Sequence, residues 1–378
     1  MIDRNVIKIQ AVGLSCLLIF FISFHANAQK KRLSCVGNSI TAGYGLTNPS
    51  QDSYPSQLSR LLGSTSWTVG NYGSSGRTML KGGGYSYWDD SQYASALNST
   101  PNTVVIGLGT NDSKNWLWDW LGQSEFKTDY KLMVQSFQSL STKPDIWIFL
   151  LVPGEKSDWG IFNSYIGKVN VKIKEIALEM GLGLIDQHSV FAGHWPGWFQ
   201  TDSVHPTVEG AYNIALNVQD MLLRTKPEVT YSNGIITSPD GIDYQWYING
   251  IAVSSANGGI QREMAVTQLG TYKVSIRLAS TSETRIVSKE YNVSALDGID
   301  TKTVNNNIKV YPNPVSDTLY IDLENMPVSM NYSISDLSGA VALSGRIEKG
   351  NRTINIGKLP SGTFLLSIDN GCIKFIKK

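Results

Sequence analysis

The sequence predicts an α/β fold for residues 30–225, with a parallel sheet covered by helices on both faces, and two smaller all-β regions after it. Strand-like and helix-like runs alternate through this first unit. The runs at 104–108 and 146–152 are apolar almost throughout, as strands buried on both faces must be. Open parallel sheets bind ligands at the carboxyl ends of their strands, so functional residues are expected there.

Each element of this unit follows from local composition. The candidate strands are short apolar runs bounded by turn residues. Helix-like stretches lie between them, and the one at 126–140 has its apolar residues near helical spacing. The predicted strands are 33–36, 67–72, 103–108, 146–152 and 183–185, and the predicted helices are 53–62, 126–140, 163–180 and 207–223.

The N-terminus has the pattern of a secretory signal peptide, residues 1–28. Arg4 and Lys8 form a positive segment, residues 11–24 form an apolar core too short to span a bilayer comfortably, and residues 26–28 supply a small-x-small cleavage site. An uncleaved anchor is the alternative. We expect no integral membrane span once the signal is removed.

Residues 228–296 contain short alternating runs and no good helix. Trp246 lies on one predicted strand, and a Gly-x-Tyr-x-Val strand at 270–274 follows about 25 residues later. This pattern resembles an immunoglobulin-like β-sandwich, although the usual cysteine pair is absent. A spacer role and glycan binding both remain open for this region.

A polar linker, residues 297–307, leads into a third β-rich region, residues 308–378. The segment Val-Tyr-Pro-Asn-Pro at 310–314, the Leu-Pro-Ser-Gly at 359–362 and the closing Lys-Phe-Ile-Lys-Lys resemble the C-terminal sorting domain of the type IX secretion system. The resemblance implies export through the periplasm across the outer membrane, to the medium or the cell surface, with the type IX machinery as partner. An ordinary small β-sandwich is the alternative.

The charge balance excludes one class of partner. Lysine plus arginine number 32 and aspartate plus glutamate 31, so the chain has no excess of positive charge for a polyanion. Nucleic acid is therefore not an expected partner.

Four separated motifs bring complementary chemistry together. Ser39 follows the first predicted strand, Gly76 lies after the second and Asn111 after the third, while Asp202 and His205 precede the last helix. A serine hydroxyl needs a base to take its proton, and a carboxylate can orient that base. Of the three histidines after the signal, only His205 has such an acid nearby.

A carbonyl substrate also needs donors for its developing oxyanion. The backbone N–H groups of Ser39 and Gly76 and the side-chain amide of Asn111 are the candidate donors. Glycine at position 76 would also let the backbone approach the substrate closely. Singly, each of these residues has an ordinary structural explanation, as a turn or a cap, but their order and placement together favour catalysis.

These motifs resemble the SGNH (GDSL-type) hydrolase family across the whole first unit. The resemblance maps the family's four residues to Ser39, Gly76, Asn111 and His205, with Asp202 as the orienting acid. It implies a flavodoxin-like α/β/α sandwich and ester hydrolysis with no metal and no cofactor. Asn38 stands where the family commonly has aspartate, which leaves the triad intact but affects how the serine loop is held.

The sequence favours an acetylated carbohydrate as substrate. Loops after the strands are rich in aromatics, and Trp88, Trp116, Trp159 and Trp195 are the candidate sugar-binding residues. The motifs also resemble those of carbohydrate acetylesterases. Plain loop packing is the alternative for the tryptophans. A lipolytic esterase or lysophospholipase on the same scaffold, and a non-catalytic glycan-binding or adhesin protein, are the alternative functions.

Two basic residues lie beside the catalytic motifs. Arg77 follows Gly76, and Lys114 follows the Asn111 motif. Either side chain could contact an acidic sugar, although solvated surface charge is the more ordinary role for both.

Overall fold

The structure, a computed structural model, describes residues 30–194, 196–294, 308–323, 329–336, 340–348, 350–368 and 371–378. The predicted signal peptide at 1–28 and linker at 297–307 lie outside the described residues. So does Trp195.

The first unit alternates strands and helices as predicted. Its parallel strands are β1 (Lys31–Gly37), β2 (Trp67–Gly73), β3 (Thr103–Gly107), β4 (Asp145–Leu150) and β5 (Gly183–Asp186). Its helices are α1 (Ser39–Ala42), α2 (Pro49–Asp52), α3 (Tyr54–Leu62), α4 (Ser91–Asn98), α5 (Asn115–Leu117), α6 (Gln123–Gln138), α7 (Asn163–Met180), α8 (Gln187–Ala192) and α9 (Val208–Leu223).

The five strands lie in the order β2-β1-β3-β4-β5, all parallel. Alternate strand residues face opposite sides of the sheet, as the period of two requires. On β3, for example, Val104 and Ile106 join the core beneath α4, α6 and α7, whereas Val105 joins the core beneath α3 and α9. The predicted α/β sandwich with a parallel sheet and helices on both faces is confirmed.

The middle region is all β. Its strands are β6 (Thr230–Ser232), β7 (Ile235–Thr237), β8 (Tyr244–Ile248), β9 (Ile251–Ala252), β10 (Glu263–Ala265), β11 (Gly270–Ala279), β12 (Ser282–Val287) and β13 (Tyr291–Val293). Strands β10-β7-β6 form a small sheet of their own, while the others form a second sheet. Two sheets of this kind agree with the sandwich that the sequence predicts.

This second sheet is continuous with the parallel sheet, which the sequence does not predict. Strand β12 pairs antiparallel with β5, so the order runs on as β5-β12-β11-β8-β9. The Asp186 carboxylate accepts from the backbone N–H of Glu283 at 2.9 Å, and the Tyr247 hydroxyl donates to the Leu178 carbonyl at 2.5 Å. The middle region therefore covers what would otherwise be the exposed edge of the hydrophobic α/β unit.

The two regions also share one apolar core. Trp246 and Tyr272, both fully buried, belong to the same cluster as Ile185 of β5 and Val218 of α9. A spacer that only separates its neighbours needs no such shared core, so the middle region is structurally part of the α/β unit.

The C-terminal region forms two further antiparallel sheets around a separate core that includes Phe364 and Phe375. The sheets run β14-β15-β18 and β17-β16-β19-β20. The strands are β14 (Ile308–Tyr311), β15 (Thr318–Leu323), β16 (Ser329–Asp336), β17 (Val341–Glu348), β18 (Thr353–Asn355), β19 (Gly362–Ile368) and β20 (Gly371–Lys377).

Across the parts of the chain that the structure describes, no helix combines the length and apolar character needed to cross a membrane.

Candidate active site

The strand order brings three of the predicted loops together. Strand β1 lies between β2 and β3, so the loops that follow these strands are neighbours at the carboxyl edge of the sheet. They carry Ser39, Gly76 and Asn111. The loop before α9, with Asp202 and His205, reaches the same edge.

Ser39 is the first residue of the one-turn helix α1. The Asn38 side chain caps this turn, because its Oδ1 accepts from the Ile40 backbone N–H at 3.0 Å. Asn38 is fully buried, and its Nδ2 has no hydrogen-bond partner among the described residues. The side-chain oxygen alone caps the serine turn, and the asparagine adds an unpaired amide nitrogen at this buried position.

A hydrogen-bonded chain joins the three predicted triad residues. His205 Nε2 lies 2.8 Å from Ser39 Oγ, and His205 Nδ1 lies 2.7 Å from Asp202 Oδ2. An ionised carboxylate can only accept, so Nδ1 carries the proton and Nε2 is left to accept from the serine hydroxyl. Both Ser39 and His205 are buried. The geometry is that of a nucleophile, its base and the base's orienting acid.

Asp202 holds both the ring and the backbone of the histidine. Its Oδ1 accepts from the backbone N–H groups of Val204 and His205, each at 2.9 Å, while its Oδ2 binds the ring. Ser203 between them has φ +59°, which lets the chain turn back within three residues.

The hydrogen bonds to Asp202 also set its ionisation. Burial alone acts to raise the pKa of this carboxyl, but the backbone N–H and ring of His205 and the N–H of Val204 together outweigh it. The pKa therefore lies below its ordinary value, and the acid stays charged beside the histidine at neutral pH.

Two backbone donors face the cleft. The N–H groups of Ser39 and Gly76 donate to no acceptor among the described residues. Gly76 has φ +78°, a conformation that favours glycine, and a Cβ built on it would meet no atom within 4 Å. Glycine is therefore required by the backbone conformation, and the open space beside it belongs to the cleft.

Asn111 offers the third donor. One N–H of its amide is already used, since Nδ2 donates to the Arg77 carbonyl at 3.0 Å. A primary amide has a second N–H, which remains for a substrate oxygen. The bond to Arg77 fixes the amide's orientation, so Nδ2 rather than Oδ1 is the atom held against the loop of Gly76.

Sequence reasoning missed Asp112, which ties the loop of Gly76 to the loop of Asn111. This fully buried carboxylate accepts from the backbone N–H groups of Met79 at 3.0 Å and Leu80 at 2.8 Å. Burial raises its pKa to about 6, and these two N–H groups only partly oppose the rise. The sequence signal for this residue was its position directly after Asn111, before a loop without regular backbone hydrogen bonding.

We expect Asp112→Asn to change how stability depends on pH. The folded pKa of about 6 exceeds the ordinary 3.8, so folding takes up a proton between these values. The free energy of unfolding therefore falls as pH rises through this window, by about 2 to 3 kcal/mol from this group. Urea unfolding from pH 4 to pH 7 should show the advantage of the wild type over the variant shrinking accordingly. A constant difference between the two would contradict the assignment.

Two aromatic rings flank the histidine. The Trp159 ring centroid lies 5.8 Å from that of His205, and the Tyr44 centroid lies 4.7 Å from it. Both side chains line a cleft of about 230 Å³ together with Ser39, Gly76, Asn111, His205, Ser75, Thr110, Lys114, Ile161 and Val204. Sequence reasoning missed Tyr44. The sequence signal for it was the preceding Gly43, which ends α1 and turns the chain back toward Ser39.

The other predicted sugar-binding tryptophans lie elsewhere. Trp88 is half-buried against the core, and its indole N–H donates to the Met79 carbonyl at 3.0 Å. Trp116 is exposed on α5, beside Gly160 and outside the lining of the cleft. The structure thus brings Trp159 alone of the described candidates into the cleft, because the loop of Trp88 packs inward to complete the core.

Comparison with known proteins identifies two families along the chain. Residues 35–212 match the GDSL-like lipase/acylhydrolase family, and residues 309–378 match the secretion system C-terminal sorting domain. The sorting domain indicates secretion or export to the cell surface.

One curated relative is an acetylxylan esterase of Xylanibacter ruminicola, 33% identical over an alignment of 202 residues that covers 49% of this chain and 41% of that protein. The chain thus spans under half of this relative's length. Similar solved structures include a putative lipolytic protein of the G-D-S-L family from Desulfitobacterium hafniense, at 19% identity over 50% of this chain and 99% of that chain, with a TM-score of 0.40.

Another similar structure is a catalytic mutant of Axe2, an acetylxylan esterase from Geobacillus stearothermophilus. It is 19% identical over 52% of this chain and 95% of that chain, with a TM-score of 0.41. The assignment itself rests on the family match over the α/β unit. Residues 35–212 are a GDSL-like lipase/acylhydrolase domain, from a family of carboxylic ester hydrolases, and the chain that carries it ends in a secretion sorting domain.

Proposed function

We propose that the protein is a secreted serine esterase that removes O-acetyl groups from carbohydrates. The observation that carries the proposal is the chain of hydrogen bonds from Asp202 through His205 to Ser39, at 2.7 and 2.8 Å, on the wall of an open cleft. Residues 1–28 act as the export signal, residues 30–225 with 228–296 form the catalytic body, and residues 308–378 address it to the type IX machinery.

The residues support a two-step mechanism. His205 Nε2 takes the hydroxyl proton as Ser39 Oγ bonds to the ester carbonyl carbon, and the carbonyl oxygen becomes an oxyanion. The N–H groups of Ser39, Gly76 and Asn111 donate to that oxygen. As the intermediate collapses, His205 returns the proton to the departing sugar oxygen. Water, deprotonated by His205, then attacks the acyl-serine, and His205 returns that proton to Ser39 Oγ as acetate leaves.

The space around the serine favours a short acyl group. Beside the cleft, and sharing Thr110 with it, lies a void of about 20 Å³ lined by Ile40, Thr41 and Phe149 among others. A void of this size holds about one small group. This void has no room for a long acyl chain.

Several observations support a carbohydrate as the alcohol part. The rings of Tyr44 and Trp159 flank the catalytic histidine, and aromatic faces pack well on sugar rings. The sorting domain indicates that the protein acts outside the cell, where polysaccharide substrates are present. A relative at 33% identity is an acetylxylan esterase.

The test is acetate release from acetylated xylan, mannan, pectin and sialosides, alongside p-nitrophenyl esters of two, four and eight carbons. We expect kcat/KM to fall at least tenfold from the acetyl to the octanoyl ester, because the void beside the serine admits only a small group. Activity rising with chain length would instead identify a lipolytic esterase.

A fluorophosphonate probe separates the enzyme from a non-catalytic binding protein. Such a probe labels a serine only when a base activates it. Labelling of the wild type and none of Ser39→Ala is the expected result. An unlabelled wild type would identify a binding protein on this fold.

A further inference from the structure

The cleft wall carries one full charge among the lining residues that the structure describes, and it is positive. Of the eleven residues that line the cleft, only Lys114 has a permanently charged side chain. Its ammonium has no hydrogen-bond or ion-pair partner among the described residues.

The neighbouring cation, Arg77, is already neutralised. Its Nε lies 2.8 Å from Asp90 Oδ2, and it does not line the cleft. Asp158, the acid next to Trp159 in the sequence, is highly exposed and pairs with Lys156 at 3.5 Å. The two basic residues beside the catalytic motifs therefore differ. Arg77 forms an ion pair within the protein, whereas the Lys114 ammonium is available to bind a ligand.

Lys114 and Trp159 belong to one wall. The backbone at Lys114 forms an antiparallel bridge with Ile161, and the Asn115 N–H donates to the Gly160 carbonyl at 2.8 Å. These contacts fix the lysine backbone against residues 156–161, the segment that carries Trp159. The wall thus combines an aromatic ring, whose centroid lies 5.8 Å from that of His205, with an unpaired ammonium.

We propose that Lys114 and Trp159 form a subsite for an acidic sugar, so that the preferred substrate carries a carboxylate on or next to the acetylated residue. This inference rests on the proposed esterase function. Trp159 packs on the apolar face of the sugar ring, and the Lys114 ammonium pairs with the carboxylate. In a partly dehydrated cleft such a charged hydrogen bond is strong enough to set a preference of tenfold or more.

The test compares an acetylated oligouronide with its carboxyl-reduced counterpart, which keeps the acetyl groups and loses the charges. An acetylated sialoside serves as a second carboxylated sugar. We expect the wild type to prefer at least one carboxylated substrate over the reduced one by about tenfold or more in kcat/KM. Lys114→Met should abolish that preference, while Lys114→Arg retains most of it. The preference should also weaken with added salt.

The matched control is Lys81→Met, which removes a lysine of the loop after β2; its ammonium lies over the ring of Trp88, and both residues lie outside the cleft lining. It should keep the preference within about twofold. If both lysine variants lost the preference equally, the preference would come from the overall positive potential of the surface and not from a subsite, which would overturn the proposal. So would equal rates of the wild type on charged and reduced substrates.

Hydrolysis of p-nitrophenyl acetate separates this proposal from the esterase function itself. That neutral ester needs the triad and not the subsite, so the wild type should hydrolyse it whether or not the subsite exists. Normal hydrolysis with no preference for carboxylated sugars would refute the subsite and leave the esterase intact. A wild type inactive on every ester would refute both.

Discussion

Ser39→Ala lowers kcat on p-nitrophenyl acetate and on acetylated saccharide by about 10⁴- to 10⁶-fold, the loss expected when the nucleophile of a hydrogen-bonded triad is removed. The alanine leaves His205 Nε2 without the hydroxyl that lies 2.8 Å away. The oxyanion donors of Gly76 and Asn111 do not depend on that hydroxyl, so residual activity above the uncatalysed rate should persist. Initial rates with purified protein measure the loss.

A double variant sharpens this result. Because Ser39 and His205 act in the same proton transfer, Ser39→Ala with His205→Ala should cost no more than either change alone. Ser95→Ala, on the exposed part of α4, is the matched control and should keep full activity. Losses that multiply in the double variant would show that the two residues act independently, and so would contradict the triad.

Removal of the middle region is expected to have the largest effect on stability. A chain ending at residue 226 should be insoluble, or unfold at least 10 °C below a chain ending at residue 294. The loss of β12 exposes the edge of β5, and open edges promote aggregation. It also removes Trp246 and Tyr272 from the shared core, where each buried aromatic contributes about 2 to 3 kcal/mol.

The chain ending at residue 294 is the control for this truncation. It lacks only the segment that includes the sorting domain, whose core is separate from the catalytic one. The unfolding temperatures of the two truncated chains are compared by circular dichroism, and their esterase activities are measured alongside. If the two chains unfold at the same temperature, the middle region contributes nothing to the catalytic body.

The fold and the strand-end motifs were predictable because each depends on local sequence. Buried parallel strands are continuous apolar runs, and a residue directly after such a strand must lie at the sheet's carboxyl edge. Ser39, Gly76 and Asn111 are all placed in this way. The Asp202–His205 spacing likewise allows a ring and its acid to meet within one turn.

The joint between β5 and β12 leaves no such signal. Asp186 and Thr284 are hydrogen-bonded although they lie 98 positions apart. The sequence of neither strand indicates which strand it pairs with. The placement of tryptophans was unpredictable for a related reason. Whether a loop aromatic faces solvent or the core depends on what packs against it, which is why Trp88 lies on the core and Trp159 beside the histidine.

The pairing of β5 with β12 also bears on how the protein is made. A chain that emerges from its N-terminus completes β5 well before the strand that covers it. At 5 to 20 residues per second, an interval of 98 positions lasts on the order of ten seconds. Until residue 287 is available the catalytic sheet has an unpaired edge. The catalytic sheet is therefore completed only after β12 has been synthesised. A chaperone that shields the β5 edge during synthesis or export would raise the yield of active protein.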